Sequence, residues 1–207
     1  MPAHAPARRI GIMGGSFDPI HLAHLIMAES VLEVLSLDLV LFVPAGSQPL
    51  KSDKHVSPAQ HRIAMVELAI AGNPHFALSR VDVDRPGPSY TVDTVAALRQ
   101  EWRGPGVEMW FIVGADSLST FPRWRGPLGI LAHVRLAVVR RLGVELDMLS
   151  LRAALPQLEE RLDWVDAPLI DISGTDIRRR VAAGLSIKYR VPDVVRDYIE
   201  ANSLYKS

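Results

Sequence analysis

"GIMGGSFDPIHLAH", residues 11–24, joins two apolar stretches through adjacent glycines, an Asp-Pro pair and two histidines. "RIGIMGG" reads as a buried strand. Downstream, Leu25, Ala28, Leu32 and Leu35 recur at helical spacing, which predicts a helix from about Pro19 to Leu35. Asp18 suits the N-cap of that helix and Pro19 its first position. His21 then falls in the first turn and His24 one turn on, so both imidazoles share a face. Gly14 and Gly15 let backbone approach a ligand closely. N–H groups at the helix start, at the positive end of its dipole, suit a phosphate.

Working outward, strand-like runs alternate with helical patterns. "LVLFVPAG", "FALSRVDVD", "VEMWFIVGAD", "RLAVVRR" and part of "LDWVDAPLIDI" read as further strands. "SPAQHRIAMVELAIAG" opens with Ser57 as N-cap, Pro58 at the first position and Gln60 at the third, a capping-box pattern. "YTVDTVAALRQEW", "LDMLSLRAALPQLEERL" and "PDVVRDYIEANSL" read as helices. The alternation predicts βαβ units in one α/β domain over residues 1–207, with residues 1–8 as a tail. The expected architecture is Rossmann-like, an open, mostly parallel sheet with helices on both faces. In such a sheet ligands bind beyond the carboxyl ends of the strands. "MGGSFDP", "PAGSQPLK", "GADS" and "DISGT" all fall there.

Composition narrows the function classes. The chain has 207 residues, 23 Lys+Arg against 23 Asp+Glu, and no cysteine. Balanced charge argues against a nucleic-acid binder, though a local phosphate site needs only a few residues. Without cysteine there are no disulfides, thiolate metal sites or thiol nucleophiles. No secretory signal is visible and no apolar run approaches the roughly 18 residues of a membrane span. The expectation is a cytoplasmic protein without membrane or nucleic-acid partners.

The glycine spacing does not match GxGxxG, and no Gly-Lys-Ser/Thr follows, so neither the dinucleotide fingerprint nor a P-loop applies. HLAH is not HExxH and lacks a nearby third ligand, so no metal site is assigned. On this stretch alone, a tight βα turn with one satisfied histidine stays open. The second stretch is "DISGTDIRRRVAAG", residues 171–184. Ser173 and Asp176 form a capping box, Ile177, Val181 and Leu185 a buried stripe, and Gly184 the C-cap. It can be no more than a well-capped helix with solvated arginines. Ser173, Thr175 and Arg178 with the first N–H groups would equally make a second phosphate site. Two such ends in one sheet point to a polyphosphate held between them.

"GGSFDPIHLAH" followed by "ISGTDIR" resembles the adenylyltransferase branch of the HxGH nucleotidyltransferases, whose fold is adenine nucleotide alpha hydrolase-like. "HRIAMVELAI", "PSYTVDT", "FIVGADSL", "FPRW" and "VPDVVRDYI" narrow the likeness to the nicotinate-nucleotide adenylyltransferase family over nearly the whole chain. The resemblance implies transfer of AMP from ATP to nicotinate mononucleotide, giving deamido-NAD and pyrophosphate. It implies catalytic roles for His21, His24 and Arg178. ATP would meet Gly14, Gly15, Ser16, Phe17, His21, His24, Gly114, Asp116, Ile172, Ser173, Thr175 and Arg178. Lys51, Tyr90, Thr91 and Trp124 would contact the mononucleotide, with Trp124 stacked on the pyridine ring. Mg²⁺ would ride on the ATP phosphates. Homo-oligomerisation is left open. Ala23, Leu50 and Gly174 depart from the family pattern. Nicotinamide-mononucleotide and pantetheine-phosphate adenylyltransfer are the nearest alternatives, and a non-catalytic nucleotide sensor a distant one.

Overall fold

The computed structural model describes residues 8–46, 56–140, 146–168 and 170–206. Six strands, β1 (Arg9–Gly15), β2 (Leu39–Pro44), β3 (Phe76–Leu78), β4 (Glu108–Gly114), β5 (Arg135–Val139) and β6 (Leu162–Val165), form one sheet. Their order is β3-β2-β1-β4-β5-β6 and every pairing is parallel. Among the described residues, eight α-helices pack around the sheet: α1 (Leu22–Val34), α2 (Ala59–Ile70), α3 (Thr91–Glu101), α4 (Ala115–Thr120), α5 (Pro127–His133), α6 (Met148–Ala154), α7 (Gly174–Ala182) and α8 (Asp193–Ala201), with short 3₁₀ turns at Phe121–Arg123 and Glu159–Arg161.

Strand residues alternate between two cores, as a sheet buried on both faces requires. Met13, Val40, Phe42, Trp110, Ile112 and Val139 pack with Val31 of α1, Met65 of α2, Ile177 of α7 and Val195 of α8. Ile10, Ile12, Leu41, Val43, Phe111 and Val138 pack with Leu98 of α3, Leu118 of α4, Ile130 of α5 and Leu151 of α6. The predicted Rossmann-like sheet with helices on both faces is therefore observed. No described helix is long and apolar enough to cross a membrane.

The strand order reverses between β1 and β4, the switch point where ligands bind in open α/β sheets. Their ladder runs only from Arg9↔Glu108 to Ile12↔Phe111. Beyond it, β1 stays with β2 through Gly15↔Pro44, and β4 stays with β5 through Gly114↔Val139. The sheet thus splits at its carboxyl edge.

Several local expectations change. Helix α1 begins at Leu22 with His21 as N-cap, not at Pro19 with Asp18. Asp18 is instead drawn inward, accepting the Tyr205 hydroxyl and the Ser57 N–H. Ser57 is consequently no cap, and α2 follows Pro58. The third strand ends at Leu78, well short of Asp84. Leu185 of the supposed buried stripe is 54 % exposed, and Ala183 is the C-cap, with Gly184 just beyond it at φ +66. Arg8 is tied to the sheet, its N–H on Asp38 and its carbonyl taking the Glu108 N–H.

Candidate active site

Where β1 and β4 part, a cleft of about 410 Å³ opens. Its floor is Met13, Gly14, Gly15 and Ser16 from β1 and its turn, with Ile112, Val113 and Gly114 from β4. His24, Thr91, Trp124, Asp82, Ser89, Thr94 and Ser117 wall it. A Cβ at Gly14 would come within 3.3 Å of the Phe111 ring, and one at Gly15 within 3.2 Å of Phe17. At these two positions a side chain fits only if the facing ring gives way.

His21 is buried, and its ring stacks on that of His24 with centroids 3.7 Å apart. Burial drops the His21 pKa to about 4, so the ring is neutral near pH 7. The His21 N–H donates to His24 Nδ1 at 3.3 Å. With Nδ1 accepting, the neutral His24 ring carries its proton on Nε2 and is a donor there. Phe17, itself buried, meets the His24 ring edge-on at 5.1 Å, fixing it from a third side. Phe17 does not line the cleft, and its backbone takes a left-handed φ of +49.

The start of α1 is less open than its glycine-rich approach predicts. The Leu22 N–H donates to the Arg190 carbonyl and the His21 N–H is spent on His24. The start of α7 is more open: Ser173 Oγ takes the Asp176 N–H at 3.2 Å, and the N–H groups of Gly174 and Thr175 meet no backbone acceptor among the described residues. This turn lies directly against the first. Arg178 donates to the Asp18 carbonyl at 2.6 Å and contacts Thr175 Oγ1 at 3.3 Å. A Cβ on Gly174 would stand 2.9 Å from the same Asp18 carbonyl, so the small residue there allows the close approach. Ile172 packs half-buried against the core. The α7 residues flank the cleft at its rim and do not line it.

Trp124 is held upright, its indole N–H on Thr120 Oγ1 at 3.2 Å and its ring nearly perpendicular to Phe111. Thr91 opens α3, whose N-cap is Tyr90. The Tyr90 side chain does not reach the cleft. It lies in a neighbouring hollow of about 460 Å³, beneath the Arg125 guanidinium at 4.3 Å. Asp116 is exposed on the first turn of α4 and does not line the cleft either. Lys51 lies outside the described residues.

Sequence reasoning missed the Asp82 wall. Asp82 is buried, accepting from Thr94 Oγ1 and pairing with Arg85 at 3.0 Å. Its loop follows a strand at the carboxyl edge of the sheet, a position that could have marked it.

Residues 12–180 match the family model described as cytidylyltransferase-like. A protein from Roseiflexus sp. (strain RS-1), named probable nicotinate-nucleotide adenylyltransferase, is 50 % identical over 95 % of this chain and 98 % of its own. One from Thermomicrobium roseum bearing the same name is 48 % identical over 96 % of this chain and 92 % of its own. The solved Plasmodium falciparum nicotinic acid mononucleotide adenylyltransferase complexed with NaAD superposes with a TM-score of 0.78 at 20 % identity. That likeness covers 96 % of this chain and 97 % of the other.

Proposed function

The chain belongs to the nicotinate-nucleotide adenylyltransferase family, and from that premise we propose how its cleft transfers AMP from ATP to nicotinate mononucleotide. The acceptor's 5′-phosphate attacks the α-phosphorus of ATP in line; one P–O bond forms as the bond to pyrophosphate breaks. The attacking oxygen is already anionic, so the protein supplies neither nucleophile nor base. Its work is positioning two anions and offsetting charge in the transition state.

The observation that carries this reading is the split between β1 and β4, with His24 on its wall and the start of α7 at its rim. The adenosine half lies over the tight floor at Gly14, Gly15 and Gly114, with Asp116 reaching the ribose from outside the cleft lining. His24 donates Nε2–H to the α-phosphoryl group, and His21 orients that ring through its N–H and its stacked imidazole. The Gly174 and Thr175 amides, Ser173, Thr175 and Arg178 receive the departing pyrophosphate. Trp124 is the stacking wall for the pyridine ring. Thr91 and the positive end of α3 favour a nicotinate carboxylate over an amide.

Among the described residues no three His, Asp or Glu side chains converge to hold a metal ion. Asp18, the buried carboxylate of the turn, already accepts from two donors. The donor set of the described residues does not fit a protein-held ion. Mg²⁺ therefore travels with the ATP phosphates as part of the substrate, and no step is assigned to it. The same reading places the enzyme in the cytoplasm, with ATP and the mononucleotide as its partners.

Pyrophosphate release is the test, with nicotinate mononucleotide, nicotinamide mononucleotide and phosphopantetheine offered in parallel. The nicotinate form should give the highest kcat/KM by at least about tenfold, roughly one well-placed charge-assisted hydrogen bond. Equal turnover of the amide form would remove the role assigned to Thr91 and α3. No release with any acceptor would overturn the reading.

A further inference from the structure

Beneath the catalytic turn lies a buried polar cluster centred on Asp18 and Arg62. Asp18 and Arg62 are 5 % and 3 % exposed. Asp18 Oδ1 accepts the Tyr205 hydroxyl at 2.6 Å, and Oδ2 accepts the Ser57 N–H at 3.2 Å. Arg62, from α2, donates to the Ser16 carbonyl at 2.8 Å and to the Ser57 carbonyl at 3.0 Å. Arg178 stands 3.9 Å from Asp18 Oδ2 while holding the Asp18 carbonyl. Two cations and two neutral donors thus surround one buried carboxylate, the condition under which such a charge is tolerated.

The consequence for the turn is geometric. The C=O and N–H of a trans peptide point in opposite directions. Arg62, by gripping the Ser16 carbonyl from below, turns the Phe17 N–H away from itself. Asp18 is held at both ends, carboxylate and carbonyl, by groups distant in the sequence. Phe17, between these two anchors, keeps the left-handed φ that brings its ring under His24. Tyr205 reaches this place because α8 docks Val195 and Ile199 in the core, after which Leu204 and Tyr205 pack against the same cluster.

We propose that Tyr205, 187 residues from Asp18 in the chain, is a positioning residue for adenylyl transfer, its hydroxyl holding Asp18 and thereby the turn that meets the phosphates. This rests on the adenylyl-transfer reading of the cleft. Burial and the Asp18 charge also raise the Tyr205 pKa well above its ordinary value, so the hydroxyl stays a donor throughout the working pH range. The segment after α8 is therefore a working part of a site built at the other end of the chain.

The test compares Tyr205→Phe, which deletes only the hydroxyl, with Tyr205→p-aminophenylalanine, which restores a neutral donor there. Rates are taken per folded molecule, below each variant's melting temperature. Tyr205→Phe should lower kcat about tenfold, the scale of a small misplacement of reacting groups, with both KM values changed less than about threefold. The amino variant should recover most of that loss. In Asp18→Ala, which deletes the acceptor, adding Tyr205→Phe should cost nothing further, because the two act through one bond. Tyr205→Phe with kcat within about twofold of the unsubstituted protein, or an amino variant no better than Phe, would overturn the proposal. Turnover by the unsubstituted protein, measured alongside, judges the reading of the cleft separately.

Discussion

Replacing His24 by alanine removes the Nε2–H donor while sparing the backbone contacts that hold the turn. The His21 N–H loses its acceptor in the exchange. A single donor aimed at developing charge is worth about 10²–10³ in rate, so His24→Ala should fold and lose that much kcat in a pyrophosphate-release assay. Trp124→Ala should act on the other substrate. Stacking contributes about 1–3 kcal/mol per base by alanine substitution, so the KM for nicotinate mononucleotide should rise about tenfold or more while that for ATP holds. Titration gives a third expectation. His21 has a folded pKa near 4 against a reference of 6.5. As pH falls below 6.5 the unfolded chain takes up this proton first, so the folded state loses ground, by on the order of 2 kcal/mol at pH 5. The loss levels off below pH 4, and above pH 7 the group has no effect. Urea unfolding at pH 7 and pH 5 should show a smaller drop for His21→Asn than for the unsubstituted protein; equal drops would contradict the buried neutral ring.

At the scale of elements, β1 is packed tightly, as its place at the middle of a sheet buried on both faces demands. A Cβ on Gly11 would meet the Leu37 side chain at 2.8 Å and Ile112 at 3.2 Å. Gly11→Ala should therefore cost about 1–3 kcal/mol of stability by overpacking, read from denaturant unfolding. Ser173→Ala should cost about 1 kcal/mol through loss of the α7 cap. These elements are legible in the sequence because their causes are local: short continuous apolar runs, a Ser-x-x-Asp cap, a glycine just past a helix end. The failures share one cause of the opposite kind. Asp18 and Ser57 each read as an N-cap, yet their polar groups are claimed by each other and by Tyr205 and Arg62 from far along the chain. Motif alone puts Tyr90 against the mononucleotide, but Arg125 draws its ring into the adjoining hollow. Glycines and histidines announce the site; its supports and its Asp82 wall depend on contacts that spacing does not reveal.

For the whole molecule, the defining feature is a sheet that parts between its two central strands. Segments lying far apart in sequence are pressed together beside the opening. Arg178 is the clasp, reaching Asp18 across 160 positions, and in the proposed complex its cationic head also faces the pyrophosphate end of ATP. In the proposed complex the triphosphate spans from the β1–α1 turn to the first turn of α7. A crystal structure of this protein with Mg²⁺ and a non-hydrolysable ATP analogue tests it most directly. The phosphates should run past His24 and over Gly14–Ser16 to the Gly174 and Thr175 amides and Arg178. Phosphates bound in the hollow between Tyr90 and Arg125, or leaving α7 without contact, would contradict it.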